Sequence, residues 1–550
     1  MLWTRKKAVL LLITLCALGS NSIVLAASLE LINSNPADNT TNVSRTDTLT
    51  LQFSASLVAR SVRSDTVTLA SPAGTQSVSL TITDATVSLH PVTPLLPWTN
   101  YTLNVTSVMG RGGEQLAAPV TLHFKTRDAS WQMFPSRIDR LTSQWSPVTA
   151  TNAKGIRFVA WLQSNEWGTG DDIWAVRHMP GTTSSAVRIA SFPQDEYVTE
   201  LNVFVDEDGN AFATWVIQKT PVTYPPAWHQ WANRFVTGSG PGSGWGTAQI
   251  IDGYSTRSAT NLHLVFDHAG NAVALWQEFI CCGYHSPQSI VTTRYTRAAG
   301  WGHPIHLDDN SFFVNGPIDI QLDNAGDAYA TWSTLEDLHY PVPKLFVSYY
   351  KATSGGFVWT PEQLIATQST MNSTGAHALA VNPRGDAMLM WADDSGLKYA
   401  RTDAAGRWSA PIVIDPSVTT SPSQVVLLDN GQAFAAFVNG VKTFMPNNGW
   451  WSWTHPLLVN QNASSDPRVV VDLNGNALVA WTQSVDGVNR VYTKRYLVNR
   501  GWFGAAPIDS QFTLGGRLQE LFLEPSGSVV ATWLENNSSG DLDVMTSRFE

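Results

Sequence analysis

A turn recurs along this chain, and each copy leads into a short, mostly apolar run that ends on an aromatic residue. The stretch VDLNGNALVAW at 471–481 shows the pattern in full. Variants of it centre on Gly155, Gly209, Gly270, Gly326, Gly385, Gly431, Gly475 and Gly527. An aromatic residue follows six positions later in each: Trp161, Trp215, Trp276, Trp332, Trp391, Phe437, Trp481 and Trp533. Three positions before the glycine stands an acid or amide in most copies, as at Asp206, Asp267, Asp323, Asn382, Asp472 and Glu524. Asp can bond its own backbone two residues on, and Gly supplies a positive φ without a Cβ clash, so each centre reads as a tight turn.

After the turn the side chains of a strand point to alternate faces. Ala211, Ala213 and Trp215 share one face, and Ala272, Ala274 and Trp276 repeat that small, small, Trp order. The other face is apolar as well, as at Met388 and Met390, so the strand is expected to be buried on both sides. Small residues on one face would let a neighbouring sheet approach, with the Trp closing one end of the gap. A strand precedes each turn, for instance at 201–205 and 262–266, and another follows the repeat strand, as in VTTRYT from Val291. A fourth, upstream, carries a Trp, as in GWGTAQII from Gly244 and GWGHPIHL from Gly300. No unit has helical periodicity.

The spacing from Gly155 to Gly527 averages about 53 residues over seven intervals. Four short strands per unit at such a period predict the blades of a β-propeller. Units drawn from the GW strand onward fall at roughly 130–181, 182–242, 243–298, 299–354, 355–404, 405–447, 448–499 and 500–550. This gives eight blades. Seven is the alternative, because the first copy and the sixth depart most from the pattern.

Residues 27–127 form a separate unit, ahead of a propeller at 130–550. Strand-like runs at 49–53, 66–70, 78–82, 87–89, 101–105 and 120–124, punctuated by turn clusters, predict a β-sandwich. The order NPADNTTNV from Asn35, LTLQFSASL from Leu49, LHPVTPLLPWTNYTLNV from Leu89 and LHFKT from Leu122 resembles the bacterial Ig-like domain of the SbsA type. The resemblance implies a spacer or adhesive module of an exported protein. The propeller region resembles, more loosely, the sialidase-like and other BNR propellers of secreted bacterial proteins. The sialidase Asp-box, S-x-D-x-G-x-x-W, has its Trp three after the glycine, whereas here the aromatic falls six after it. No catalytic residue is carried over from that family.

Residues 1–26 read as a secretory signal: a basic start at Arg5, Lys6 and Lys7, an apolar run at 8–18, and Val24-Leu25-Ala26 before the cut. The run falls short of the ~20 apolar residues that span a bilayer. Cys16 raises a lipoprotein alternative, against which Leu15 is a poor cleavage residue. The expected site is therefore exported: secreted, periplasmic or at the cell surface, with no transmembrane segment once the signal is removed. Net charge is −10 and falls to −13 without the three basic signal residues. No basic stripe occurs later, which argues against nucleic acid as a partner. Cys281 and Cys282 are adjacent and cannot staple distant elements; a vicinal disulfide and free thiols both remain open.

Candidate chemistry is sparse. The Asp206/Asp208/Asn210 and Asp472/Asn474/Asn476 turns alternate oxygen ligands as a calcium loop would, but lack the loop's glycine and glutamate positions, so they read as structural turns. His303 and His306 fall on opposite faces of an extended strand and do not chelate one metal there. Asp171-Asp172, Asp308-Asp309 and Asp393-Asp394 read as solvated loop carboxylates, since glycosidases need two carboxyls set apart across a cleft. No metal site, cofactor or catalytic motif is expected. The loops after the repeat strands are long in the early units and carry aromatics with polar neighbours: Tyr224, Trp228, His229 and Trp231, then Tyr284 and His285, then His339 and Tyr340. Such side chains suit a glycan or protein ligand, or else fold back to cap their own loops. Three functions stay open: a non-catalytic surface or secreted binding protein for an extracellular glycan or protein, a glycoside hydrolase or lyase with carboxylates on the propeller axis, and a structural envelope component.

Overall fold

The computed structural model describes residues 28–550 apart from 133–134, 138–144, 165–169, 180–181, 220–227, 241, 254–256, 280–287, 309–312, 315, 336–341, 353–356, 369–374, 404–405, 439, 446–448, 455–463, 510–514 and 538–541. Among the described residues the chain is all-β, with one short 3₁₀ turn at Ala59–Ser61. It divides into two compact units, one of which takes residues up to Thr93 with Asn100–Lys125, and the other Pro94–Thr99 with Thr126–Glu550.

The first unit is a sandwich. One sheet runs in the order Thr40–Val43, Val120–Thr126, Asn100–Val105, Val67–Ser71, Gly74–Gln76, and the other in the order Leu31–Asn35, Leu49–Phe53, Thr86–Pro91, Val78–Thr83. The alternation visible in the sequence turns Leu49, Leu51 and Phe53 inward from one sheet and Tyr101, Leu103 and Val105 from the other, all buried.

The second unit is a propeller. Among the described residues it has eight sheets of four or five short strands. We number them in chain order, sheet 1 beginning at Trp145–Thr151 and sheet 8 at Gly516–Leu523. In each the inner strand leads through the turn into the repeat strand, and that into a third strand. The strand beginning with Gly244 and Trp245 pairs back with the third strand of sheet 2, His229–Val236. The expectation that a GW strand opens its own unit is therefore corrected: it is the outer strand of the preceding sheet. Gly300–Trp301 and Gly501–Trp502 do the same in sheets 3 and 7.

Among the described residues, sheet 8 has no such strand of its own. Ser136–Arg137 takes the outer place against the last strand, Leu542–Phe549. Beside it the backbones of Ser130 and Glu550 exchange hydrogen bonds of 3.1 and 2.9 Å. The two ends of the unit are thus closed into one sheet.

The cores between sheets follow one rule. The face of each repeat strand that carries the repeat aromatic packs on the other face of the repeat strand in the sheet before it. Ala211, Ala213 and Trp215 meet Phe158, Ala160 and Leu162, and Ala328, Ala330 and Trp332 meet Val273 and Leu275. At the junction of first and last, Val159 and Trp161 pack with Val544 and Leu534. All eight aromatics at this position are at most 1% exposed, which makes them the wedges of a closed ring. The turns that aim them are held by their own carboxylates. Asp472 Oδ1 accepts the Asn474 and Asn476 N–H groups at 2.9 Å each, and Oδ2 accepts Asn476 Nδ2 at 2.9 Å. Asp206 and Asp267 are wired alike. The eight turn glycines have φ between +72° and +90°, where a Cβ would be strained.

Candidate functional site

The inner strand of a sheet has one neighbour on its outer side and faces the ring axis on the other. Counting back seven residues from each turn glycine finds one register across all eight inner strands. Sheets 1 to 4 place Val148, Asn202, His263 and Asp319 there, opposite Ala160, Thr214, Leu275 and Thr331. Sheets 5 to 8 place Ala378, Gln424, Arg468 and Glu520, opposite Met390, Ala436, Ala480 and Thr532. The types recur four sheets apart: small apolar, amide, base, acid. In sheets 1, 2, 3, 7 and 8 the inner strand is bulged just before this position, next to the repeat Trp. In sheets 2 and 3 the bulge holds Glu200 and Asn261 at φ +53° and +55°. A bulge re-aims the side chain that follows it, and non-glycine residues at positive φ are uncommon enough to mark a place the fold has built deliberately.

Two cavities on the axis are lined, between them, by inner strands of all eight sheets. One, of ≈ 600 Å³, gathers His263, Asp319, His377, Gln424, Arg468 and Glu520. The other, of ≈ 480 Å³, lies toward the turns and is collared by Phe204, Val265, Leu322 and Phe522. Gln321 and Glu520 belong to both. The axis therefore has a polar belt and, next to it, an apolar collar.

Each belt group has a distinct environment. Burial pushes the Glu520 carboxyl above its usual range, and the Arg157 charge and sheet 1 donors pull the other way. Those donors are the Thr151 N–H at 2.9 Å, Thr151 Oγ1 at 3.0 Å and Thr149 Oγ1 at 3.2 Å. Glu520 thus ties sheet 8 to sheet 1 as well as facing the cavity. His377 Nδ1 lies 2.9 Å from the Gly375 carbonyl, so Nδ1 carries the proton and Nε2 accepts from Thr331 Oγ1 at 3.2 Å. Burial lowers the pKa of His377 and of His263; the negative charge of Asp319 opposes this in both. Burial thus favours the neutral form of both rings. Asp319 accepts one hydrogen bond from Gln321 Nε2, at 3.3 Å.

Among the residues expected from the sequence to bind ligand, Tyr224, Tyr284, His285, His339 and Tyr340 lie outside the described residues, as do Cys281 and Cys282. Trp228 packs edge-on against Phe279, with ring centroids 5.5 Å apart. His229 Nδ1 sits 3.0 Å from the buried Asp252. Trp231 stands opposite Trp215 and packs on the core between sheets 1 and 2. The structure does not bring these three to the axis.

The paired carboxylates need correction. Asp171 and Asp172 lie in a strand, not a loop, and Asp172 is buried with Arg188 Nη1 3.4 Å away. Asp393 is buried in the repeat strand of sheet 5 and holds Lys398 at 2.7 Å. Asp308 Oδ2 accepts the Ile290 N–H at 3.1 Å. Asp308 thus holds a backbone N–H near the start of a strand, Asp393 closes the turn after its strand by accepting the Ser395 N–H at 2.9 Å, and Asp172 pairs with a side chain. Among the described residues no group of three or more His, Cys, Asp or Glu side chains is placed to hold a metal ion.

The belt itself was missed by the reading of loops and motifs. Its signal is in the sequence, as a polar residue seven before the turn glycine in six of the eight inner strands, with His377 one residue further back in sheet 5. It is readable only once the strand before the turn is known to be innermost.

The family model described as a bacterial Ig-like domain matches residues 26–126. No curated protein matches the chain. Among solved structures, the polysaccharide lyase Uly1 is similar with a TM-score of 0.40 at 10% identity, over 77% of this chain and 92% of that one. A Trypanosoma rangeli sialidase in complex with sialic acid gives 0.37 at 10% identity, over 76% and 59%. The β-propeller domain of the Trilobed protease from Pyrococcus furiosus gives 0.30 at 9% identity, over 88% and 97%. None of these transfers a residue role to this chain. The chain joins a bacterial Ig-like domain to a propeller.

Proposed function

We propose that this is an exported, non-catalytic binding protein whose propeller axis takes a hydroxyl-rich ligand of the glycan class, with the Ig-like unit of residues 27–127 acting as a spacer. The observation that carries this is the polar belt: six consecutive sheets contribute His263, Asp319, His377, Gln424, Arg468 and Glu520 to one cavity of ≈ 600 Å³. A cavity of that size, with a few convergent donors and acceptors beside apolar walls, is the usual form of a small-ligand site. Asp319 and Gln424 supply acceptors and donors for hydroxyls, and the collar with Phe204 and Phe522 supplies apolar surface for a sugar face.

A glycan array probed with the full chain, followed by calorimetric titration of any hit, tests the reading. Saturable one-to-one binding that Asp319→Asn weakens supports it. Absence of any saturable ligand would leave the envelope-component alternative. The lyase or hydrolase alternative draws on His263, whose neutral form burial favours, beside the Asp319 carboxylate, since a general base must be unprotonated at working pH. It requires turnover of the bound glycan, read as released reducing ends or unsaturated product, and loss of that turnover in His263→Gln.

A further inference from the structure

The belt repeats its chemistry four sheets apart, but the two halves are wired differently. In sheets 7 and 8 the acid, Glu520, is already satisfied by the three donors from Thr149 and Thr151. Its neighbouring base, Arg468, has no ion pair and no side-chain hydrogen bond among the described residues, although it is half-buried and lines the cavity. Gln424 beside it accepts the Val469 N–H at 2.8 Å through Oε1, which leaves its amide N–H groups as donors. In sheets 3 and 4 the base is an imidazole rather than a guanidinium, and the acid, Asp319, keeps accepting capacity beyond its one bond to Gln321. One wall of the cavity thus offers a permanent cation with amide donors. The other offers acceptors.

A half-buried guanidinium without a partner costs desolvation that only an anion recovers in full. Its planar fork fits two oxygens of one carboxylate or sulfate. Hydroxyl groups suit the opposite wall, because an ionised carboxylate is acceptor-only. Resting on the axial-site reading above, we infer that the ligand is an acidic sugar, with its anionic group on Arg468 and its hydroxyls toward Asp319. An uncharged glycan would leave the guanidinium unpaired, and a cationic one would meet it as a like charge.

The test is calorimetric titration of the full chain with three probes: a uronate trimer, an uncharged trisaccharide and a sulfated but otherwise neutral trisaccharide. The expected result is a uronate or sulfated trimer bound at least ~10-fold tighter than the uncharged one, the difference a charge-assisted pair supplies. Whichever of the two binds better identifies carboxylate or sulfate as the source. Arg468→Gln removes that preference, and Arg468→Lys, which keeps the charge but not the fork, retains part of it. Arg407→Gln, at a side chain 80% exposed and away from the axis, changes nothing. Equal binding of charged and uncharged probes, or a preference that survives Arg468→Gln, overturns the inference while leaving the axial site standing. Binding of none of the three by a folded chain overturns both.

Discussion

The cores between sheets and the belt on the axis are built by the same strand pairs, yet they obey opposite rules. Six residues after the turn glycine, seven sheets carry Trp and one carries Phe, all buried. Seven residues before it, the eight sheets carry eight different residue types: Val148, Asn202, His263, Asp319, Ala378, Gln424, Arg468 and Glu520. Packing between sheets is one problem solved eight times, so its solution repeats. The axis is a single place, reached by each sheet from a different direction, so the residues there differ as the walls of a pocket differ. The comparison teaches that in a repeat protein the positions that hold the ring are the ones that recur, and the positions that serve it depart from the recurrence at a constant offset.

The largest effect should come from the repeated position. Trp481→Ala leaves a void between sheets 6 and 7 and should cost about 3–5 kcal/mol, read as a drop in the urea midpoint. A cost under about 1 kcal/mol would mean the wedges are not what holds neighbouring sheets. Glu520 sits on both sides of the comparison, as a belt residue that also ties sheet 8 to sheet 1. Glu520→Ala, which strips the Thr149 and Thr151 donors of their acceptor, should cost about 1–3 kcal/mol, and Glu520→Gln, which keeps an acceptor oxygen without the buried charge, should cost less. Asp472→Ala removes the acceptor that organises a turn and should cost about 1–2 kcal/mol by the same measurement.

A smaller effect should appear in the pH dependence. The folded pKa of His377 is lowered by burial, so below ~6.5 the unfolded chain binds a proton that the folded chain refuses. Stability from this group is present above that pH and is lost as the pH falls. Glu520, whose folded pKa is raised, acts with the opposite sign, gaining stability for the fold as pH falls toward its raised value. His377→Gln should therefore flatten the loss of stability between pH 7.5 and 5.5 relative to the parent chain; an unchanged slope would remove His377 from the account. The smallest stability effect belongs to the belt residues without a structural bond. Arg468→Gln should move the urea midpoint by no more than about 0.5 kcal/mol, and a larger loss would class it with the wedges.

Much of the ring was legible because its determinants are local and repeated. The Asp206 turn, the Gly209 backbone and the Ala211, Ala213, Trp215 face can each be read within ten residues, and each recurs. The sandwich strands were legible for the same reason, alternation at 49–53 or 101–105 being a local property. The axis was not, because it depends on which strand is innermost. Sequence order placed the Gly244–Trp245 strand at the start of the following unit, whereas pairing assigns it to the sheet before. That phase decides that His263 and Asp319 face a common cavity. The burial of Asp172 and Asp393 was equally hidden, since an adjacent pair of carboxylates looks alike in a solvated loop and in a strand where a basic side chain meets it. Trp231 read as a loop aromatic because its loop is long, whereas it already lies inside the third strand of sheet 2.

The central claim is that the ring and the site are separable sets of positions on the same strands. The direct measurement is a paired titration and thermal melt of the parent chain and the Asp319→Asn, Arg468→Gln double variant with a uronate trimer. The account predicts an unchanged melting temperature without ligand, with saturable binding and a ligand-dependent rise in the parent and neither in the variant. A variant that binds as the parent does, or one that melts many degrees lower without ligand, would contradict it.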